Sequence, residues 1–356
     1  MELKKSMTDV HVIGAGPTGS VAAIVCARNG KSVLVSEEHK SAGGKVCTGL
    51  FSASGLKTIE RYFSWKESVQ NEIYGAEIYF NEEKIIIEKR SPVAFVCDRD
   101  SFDRQAASAA EDEGALVEYG KRVVGNYPAY NIIAADGALS STASFFNFPK
   151  ITKFVGAIKG EVRASWDERL VKVFFSSAFP GFLGWAVPRG DRTFEIGCGV
   201  VLPNRPAEAF ARLEKMLGVR STSKKAAVIP LRPRKKTAAI IGKYDVRLVG
   251  DAAGQVKAIS GGGVIFGSWC AEIAASASTP LNYEIGWRFK YGQELLIHRL
   301  IRKFLDSIDD KRLSNFGRKL RESNASSFIE ENGDMEYASS LLFNIFKKPS
   351  LLLTLL

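Results

Sequence analysis

Residues 8–19, TDVHVIGAGPTG, join an apolar run to a turn rich in glycine. The apolar run predicts a buried strand over residues 8–13, and residues 20–29, after the turn, predict a helix. A second apolar run, SVLVSE, predicts a strand that ends at Glu37. Strand, glycine turn, helix and strand together indicate a βαβ unit of a Rossmann-like fold.

The spacing of the glycines in this unit indicates a dinucleotide site. Gly14 allows the tight turn, Gly16 lets the backbone approach a pyrophosphate, and Gly19 lets the helix pack closely on the strand. The N–H groups of the first helical turn would stabilise the phosphates. Glu37 lies where an acidic residue accepts hydrogen bonds from adenosine ribose hydroxyls. We interpret His11, inside the first strand, as structural.

Composition limits the classes of protein to consider. The chain has 356 residues, 46% hydrophobic and 25% charged, which is enough for a sizeable core shared by two globular parts. Its five scattered cysteines form no C-x-x-C pair, so we expect no metal site. We find no apolar signal-peptide region and no apolar run of the ~20 residues that a spanning helix needs. We therefore expect a cytoplasmic protein.

The net charge of +10 calls for an anionic partner. Residues 288–321 interleave basic residues with apolar ones at near-helical spacing. A solvated helix face above a core face is one interpretation, and a helix docked on an anionic lipid surface, a peripheral membrane contact, is the other. No nucleic-acid-binding module accompanies the charge, so we expect no nucleic acid partner.

Antiparallel strands interrupt the nucleotide-binding pattern. Residues 72–80 and 84–90 predict a hairpin, and more strands are predicted within residues 154–202. Residues 99–114 predict a helix of the first domain. We therefore predict a discontinuous nucleotide-binding domain (1–72, 91–150 and 240–285), an antiparallel-sheet domain (73–90 and 151–239) and a C-terminal helical region (286–356).

A third motif follows a strand predicted at residues 246–249. Asp251 would lie at the carboxyl end of that strand, and the glycine run 261–263 opens a helix rich in small residues. The aspartate could accept hydrogen bonds from ligand hydroxyls while the glycine backbone approaches another part of the ligand.

These motifs, with DRDSFDRQ at residues 98–105 and AADGALSS at residues 134–141, resemble the two-domain flavoproteins typified by para-hydroxybenzoate hydroxylase. They resemble more closely the geranylgeranyl reductase family, which includes the archaeal digeranylgeranylglycerophospholipid reductases. The resemblance covers residues 8–280, and KKPSLLLTLL at residues 347–356 looks like the family's C-terminal helix. It implies FAD as cofactor, bound by a Rossmann-like domain in a mixed α/β fold.

The resemblance also assigns FAD contacts to positions that match the family's motifs. These are Gly14, Gly16, Thr18 and Gly19 at the pyrophosphate, Glu37 at the adenosine ribose, Arg99, Val123 in a strand beside the adenine pocket, Asp251 at the ribityl chain, and Gly263 and Val264 beside the isoalloxazine ring. Asp136 and Gly137 match a D-G turn of the wider group, but Thr142 and Ala143 stand where the hydroxylases often carry Val-Arg.

Residues 41–50, SAGGKVCTGL, carry one cysteine in a loop that the resemblance places at the flavin. Cys47 and Thr48 would lie close to the isoalloxazine ring. Reduction of an isolated alkene requires a hydride at one carbon and a proton at the other. The thiol of Cys47 could supply or relay that proton, or it could simply pack against the flavin.

The family's substrate motif, Y-x-W-x-F-P, appears here as LGWAVP at residues 183–188. Trp185 and Pro188 remain and would contact substrate, while Leu183 and Val187 replace the other two positions. The replacements keep the surface apolar, as an isoprenoid channel requires. Trp185 could alternatively be a core residue of the sheet.

Three functions are compatible with these patterns. The first is an FAD-dependent reductase that saturates prenyl double bonds on a glycerophosphate lipid, a diphosphate or a quinone, with electrons from NAD(P)H or a ferredoxin-type protein. The second is a flavin monooxygenase of an aromatic or polyprenyl substrate. The third is a prenyl-binding protein without flavin or catalysis.

Overall fold

The computed structural model describes residues 8–323, 325–340 and 344. Its strands are β1 (Val10–Ile13), β2 (Val33–Ser36), β3 (Leu50–Ser52), β4 (Val69–Ile73), β5 (Gly75–Phe80), β6 (Glu83–Glu88), β7 (Ala94–Cys97), β8 (Leu116–Glu118), β9 (Asn131–Ala134), β10 (Phe154–Arg163), β11 (Leu170–Phe175), β12 (Gly184–Gly190), β13 (Thr193–Val201), β14 (Thr222–Pro230), β15 (Ala238–Ile241) and β16 (Tyr244–Leu248). Its helices are α1 (Pro17–Arg28), α2 (Ala53–Ile59), α3 (Arg99–Asp112), α4 (Ser141–Phe145), α5 (Pro206–Leu217), α6 (Val264–Ser276), α7 (Pro280–Trp287), α8 (Gln293–Ser307), α9 (Asp310–Glu322) and α10 (Ala325–Asn332).

The first sheet is the predicted Rossmann-like sheet. Its strand order is β15-β16-β9-β1-β2-β8, and all neighbours are parallel except β15 and β16. Helices α1, α3 and α6 pack together on one side of it, around a core of small and aromatic residues. Because the carboxyl ends of β1, β2, β9 and β16 meet at one edge, the loops that follow them form one crevice.

A second sheet holds seven strands in the order β14-β10-β13-β12-β11-β5-β6. Its pairs are antiparallel, as predicted, except that β5 and β11 run parallel because a long crossover separates them. One face packs on α5 through Phe210 and Leu213. The opposite face packs on α9, α10 and the loop before α6. This interleaving of two sheets confirms the predicted mixed α/β fold.

A small three-stranded sheet, β3-β7-β4, was not predicted. It holds the end of the cysteine-bearing loop, because the Cys97 N–H donates to the Gly49 carbonyl at 2.9 Å. Gly49 has φ of 71°, and a Cβ there would lie 2.0 Å from the Cys97 carbonyl oxygen. The loop can therefore approach β7 only with glycine at this position.

Two expectations are corrected by the structure. Val123 lies in the connection between β8 and β9 rather than in a strand, because β8 ends at Glu118; its buried side chain packs in a cluster with Ile13 and Tyr127. Residues 288–321 form no single helix: a π-helical segment, Arg288–Gly292, leads into α8, and Asp309 caps a separate helix, α9. The predicted C-terminal helix at residues 347–356 lies outside the described residues.

No helix in the described part of the chain has the length and apolar character needed to cross a membrane.

Candidate functional site

The turn after β1 is built for a close approach to an anion. Gly14 has φ of 97°, and a Cβ there would lie 2.7 Å from the Ala135 carbonyl oxygen. A Cβ on Gly19 would lie 1.9 Å from the Gly14 carbonyl oxygen, so α1 can pack on the turn only with glycine there. A Cβ on Gly16 would meet no atom within 4 Å. Gly16 therefore borders open space at the N-terminus of α1, which carries no side-chain cap.

Glu37 lies at the carboxyl end of β2, as predicted. Its Oε2 accepts a hydrogen bond from the Ala15 N–H at 2.8 Å, and its Oε1 accepts from the His39 N–H at 3.0 Å and lies 2.6 Å from the His39 Nδ1. The carboxylate thus fixes the glycine turn against β2. The Oε2 atom accepts one hydrogen bond within the protein and has a second lone pair, which leaves room for a ligand hydroxyl.

Asp251 follows β16 and lies beside the first turn of α6. Its Oδ1 would lie 2.8 Å from a Cβ on Gly263, and its carboxylate has no hydrogen-bond partner among the described residues. Burial raises the pKa of this carboxyl, while Lys45 and Arg99 oppose the rise. Thr18 packs on Gly250 next to it, so the motifs after β1 and β16 meet. A half-buried carboxylate without a partner in the protein is the acceptor that a polyhydroxyl chain requires.

Arg99 lies at the start of α3, next to the cysteine-bearing loop. Its Nε and Nη2 donate to the Asp103 carboxylate at 3.0 and 2.9 Å, and both side chains are buried. Burial acts to lower the pKa of the Arg99 guanidinium, but the Cys47 side chain and the Asp103 carboxylate raise it overall. The predicted FAD residues Arg99 and Cys47 therefore lie close together.

A buried ion cluster joins the cysteine-bearing loop to the seven-stranded sheet. The Lys159 ammonium lies 2.5 Å from the Cys47 carbonyl oxygen and 2.5 Å from the Glu195 Oε2. Arg189 donates to the same Glu195 oxygen at 3.1 Å. The other carboxylate oxygen, Oε1, is buried and has no partner among the described residues. Burial raises the pKa of Glu195, while Lys159 and Arg189 oppose the rise.

Trp185 lies on the same sheet face as this cluster. Pairing aligns Trp185 with Gly197 and Gly197 with Lys159, and paired residues share a face. The indole packs directly over Gly197, where a Cβ would lie 2.3 Å from its Cζ2. Its Nε1 is buried and has no partner in the described part of the chain.

The structure does not bring Pro188 to this face. Side chains alternate along a strand, so residues 185 and 188 point to opposite sides of β12. Pro188 pairs with Phe194, whose side chain belongs to the core under α5. Its contribution to the site is therefore at most indirect, through its carbonyl oxygen, which accepts from Asn71 at 3.2 Å.

Sequence reasoning missed a second buried cluster, between Asp251 and α6. The Lys257 ammonium lies 2.9 Å from the Glu336 Oε2, and the Ser52 hydroxyl donates to the Glu336 Oε1 at 2.6 Å. All three residues are buried. The cluster ties the C-terminal segment to the loop before α6 and to the N-cap of α2. A lysine inside the apolar, glycine-rich stretch QVKAISGGG is the signal that could have found it.

The D-G turn is also accounted for. The Asp136 Oδ2 accepts from the Thr142 N–H at 2.9 Å, so this aspartate stabilises the start of α4. A Cβ on Gly137 would lie 2.9 Å from the Lys45 ammonium. No group of histidine, cysteine, aspartate or glutamate side chains within the described residues is arranged to hold a metal ion.

The crevice fits FAD. The uncapped N-terminus of α1 beside open space suits a pyrophosphate, and the carboxylates of Glu37 and Asp251 suit hydroxyl groups on either side of it. Gly263 and Val264 begin α6, and a Cβ on Gly263 would lie 2.8 Å from the Asp251 Oδ1. Gly261 packs on Phe182 and Ile229 of the sheet domain, so an isoalloxazine ring at α6 would lie next to that domain.

Comparisons with known proteins agree with this geometry. The FAD dependent oxidoreductase family model matches residues 9–129. An uncharacterized protein of Methanocaldococcus jannaschii is 28% identical, over 95% of each chain. The digeranylgeranylglycerophospholipid reductase of the same organism is 27% identical, over 88% of this chain and 91% of its own length.

Among solved structures, a geranylgeranyl bacteriochlorophyll reductase-like protein from Thermoplasma acidophilum has the same fold. The TM-score is 0.76 at 21% identity, and the match covers 98% of both chains. The family model, the full-length relatives and the fold agree with the crevice described above. This chain is an FAD-dependent oxidoreductase, and it is similar in sequence to a digeranylgeranylglycerophospholipid reductase and in fold to a geranylgeranyl bacteriochlorophyll reductase-like protein.

Proposed function

We propose that this protein saturates carbon–carbon double bonds of a geranylgeranyl or related prenyl chain carried by a lipid, a diphosphate or a quinone. The observation that carries the proposal is the contact of Lys159 with the Cys47 carbonyl. It holds the predicted flavin-facing loop against the sheet face that carries Trp185. An apolar chain on that face would lie beside the flavin position.

The sheet face supports an isoprenoid substrate. Beside Trp185 it carries only apolar side chains from β11 and β5, namely Val173 and Ile78, which align with Trp185 through strand pairing. These side chains are only partly buried by the helices that pack on this face. Apolar walls with few polar groups bind and orient a hydrocarbon chain and exclude water from it.

The reaction needs two hydrogens per double bond. When bound, FAD in its reduced form supplies the hydride. The protein must deliver the proton, and the Cys47 thiol, which is partly exposed and lies near Arg99, is the candidate donor or relay. Arg99, held by Asp103, and Lys159, held by Glu195, would fix the loop that carries this thiol from two sides.

Flavin reoxidation tests the proposal. The FAD-loaded protein is reduced anaerobically with dithionite, freed of excess reductant and mixed with a geranylgeranyl lipid. The oxidised flavin spectrum should return in proportion to the double bonds added, and a fully saturated lipid should leave the flavin reduced. The oxidised, FAD-loaded protein is also mixed with NADPH or with reduced ferredoxin. Loss of the oxidised flavin spectrum identifies which class of electron donor reduces the flavin. Reoxidation that requires oxygen would contradict the proposal and indicate a monooxygenase.

A further inference from the structure

One continuous helix, from Pro280 to Ser307, carries an exposed apolar stripe along its length. Helix α7, the π-helical segment and α8 follow each other without a break, and the junction residues keep right-handed helical dihedrals. At about 1.5 Å per residue the helix is roughly 40 Å long. Phe289 is 81% exposed and Leu281 65% exposed. The stripe comprises Leu281, Ile285, Phe289, Leu296, Leu300 and Phe304, all of which are exposed.

The π-helical segment keeps the stripe on one face. A regular helix would rotate by about 140° between residues 281 and 304. The π-helical segment accommodates one extra residue and takes back roughly 100° of that rotation. The opposite face of the helix is buried against the first domain, where it packs Tyr283, Trp287, Tyr291 and Leu295 into the core. The exposed stripe therefore lies on the other side of the helix from this core, and at its C-terminal end Phe304 contacts Phe316 edge to face, beside the core of the second domain.

Basic side chains border the stripe. The loop before β15 lies beside the helix, since the Arg288 guanidinium donates to the carbonyl oxygens of Arg234 and Lys235 at 2.9 and 3.1 Å. Arg232 lies in the same loop, close to Arg299. Burial lowers the pKa of Arg299 most, and the positive charge of Arg232 lowers it further. The exposed basic residues of this border are Arg232, Lys235, Lys236, Lys290 and Lys303.

The acidic residues of this helix do not offset that charge. Glu284 accepts from the Thr237 N–H and hydroxyl at 2.7 Å each and pairs with Arg288. Glu294 is buried and accepts from the Ser339 N–H at 2.7 Å. Asp306 pairs with Arg302. Each of these three carboxylates is already bound by a cation or a hydrogen-bond donor of the protein itself. The exposed lysine and arginine side chains therefore leave the border with a net positive charge.

We propose that this helix is a docking surface for an anionic lipid bilayer, with the stripe inserted at the headgroup boundary and the basic border on the lipid phosphates. An apolar stripe bordered by lysine and arginine is the arrangement that holds a helix in the plane of a membrane interface. The charge of the border selects an anionic surface over a neutral one. The proposal concerns where the protein works and does not depend on the reaction that it catalyses.

Vesicle co-sedimentation of the full-length, FAD-loaded protein tests the surface. The vesicles are phosphatidylcholine alone or phosphatidylcholine mixed with phosphatidylglycerol. The wild type should sediment with the mixed vesicles and remain in solution with the neutral ones. The charge-reversal variant Lys235→Glu/Lys236→Glu should bind at least ~25-fold more weakly, because each basic residue near an anionic surface contributes about fivefold. The variant Phe289→Ser/Leu300→Ser should bind at least ~10-fold more weakly.

Matched control variants carry the same changes elsewhere. Met216→Ser/Leu116→Ser removes exposed apolar side chains from α5 and β8, and Lys215→Glu/Arg220→Glu reverses exposed charges at the C-terminus of α5. Both should bind vesicles like the wild type. Flavin content shows that every variant is folded. Failure of the wild type to bind mixed vesicles, or equal binding by stripe and control variants, would overturn the proposal. A wild-type dimer that the stripe variant converts to a monomer, without vesicle binding, would also overturn it and assign the stripe to a second copy of the chain.

Discussion

The Lys159 ammonium lies 2.5 Å from both the Cys47 carbonyl oxygen and the Glu195 carboxylate. One side chain of the seven-stranded sheet thus holds the loop that borders the proposed flavin position. Glu195 is almost fully buried, so its charge depends on Lys159 and Arg189. Any change in Lys159 should therefore affect both the stability of the sheet and the position of the loop.

Replacing Lys159 with methionine should lower the free energy of unfolding by about 3 kcal/mol, because a buried carboxylate loses a partner. It should also weaken FAD binding and shift the flavin spectrum, since the loop loses its anchor. Lys172→Met is the matched control: Lys172 pairs with Glu77 at 2.8 Å and is similarly buried, and its ammonium makes no bond to the loop. Urea titration and FAD titration of both variants separate the two effects. The same FAD affinity in both variants would contradict the positioning role of Lys159.

Two glycines of the same turn should respond differently to alanine. Gly16→Ala adds a methyl group to open space, so the FAD-free protein should keep its stability while FAD affinity falls at least ~10-fold. Gly19→Ala forces a Cβ to within 1.9 Å of the Gly14 carbonyl oxygen and should destabilise the FAD-free protein itself. Thermal unfolding without FAD and FAD titration distinguish the two. Unchanged FAD affinity in Gly16→Ala would place the pyrophosphate elsewhere.

Cys47→Ala should keep FAD affinity within about threefold and lower kcat by about 100-fold, the contribution typical of one positioned acid. Its solvent isotope effect should change as well, which a packing role would not explain. Cys97→Ala is the control, because burial raises the pKa of the Cys97 thiol to about 11 and removes it from proton transfer at neutral pH. If Cys47→Ala turns over at the rate of the wild type, the thiol only packs against the flavin.

Acid should destabilise the protein through two buried histidines. Burial lowers the pKa of both His11 and His298 to about 4. The unfolded chain, with histidine pKa values of about 6.5, takes up protons that the folded protein does not, so stability falls as the pH drops below about 6.5. Between pH 7 and 5.5, where carboxylates remain ionised, each histidine should remove about 1 kcal/mol.

Urea unfolding across this pH range measures the loss. His298→Leu should remove about half of it, and the double variant with His11→Leu should remove nearly all of it. A pH dependence that survives in the double variant would assign it to other groups.

Local sequence signals predicted the β1-α1-β2 unit, since the three spaced glycines stand between an apolar strand and a helix and a second strand follows that ends at Glu37. The seven-stranded sheet was predicted from alternation, which also implies that Trp185 and Pro188 face opposite sides. Lys159 and Glu195 escaped notice because charged residues at alternate strand positions ordinarily face solvent. Their burial depends on the distant Cys47 loop. The short strand β3 gives no periodic signal at all, and it is stabilised only by pairing with β7.

The most direct test of the reductase proposal is the mass of a geranylgeranyl lipid after anaerobic incubation with the dithionite-reduced protein, repeated in air with NADPH. We predict that the anaerobic product gains two hydrogens for each double bond reduced, and that protein without FAD leaves the lipid unchanged. A product that gains oxygen in air, with no hydrogen added under anaerobic conditions, would contradict the reductase proposal.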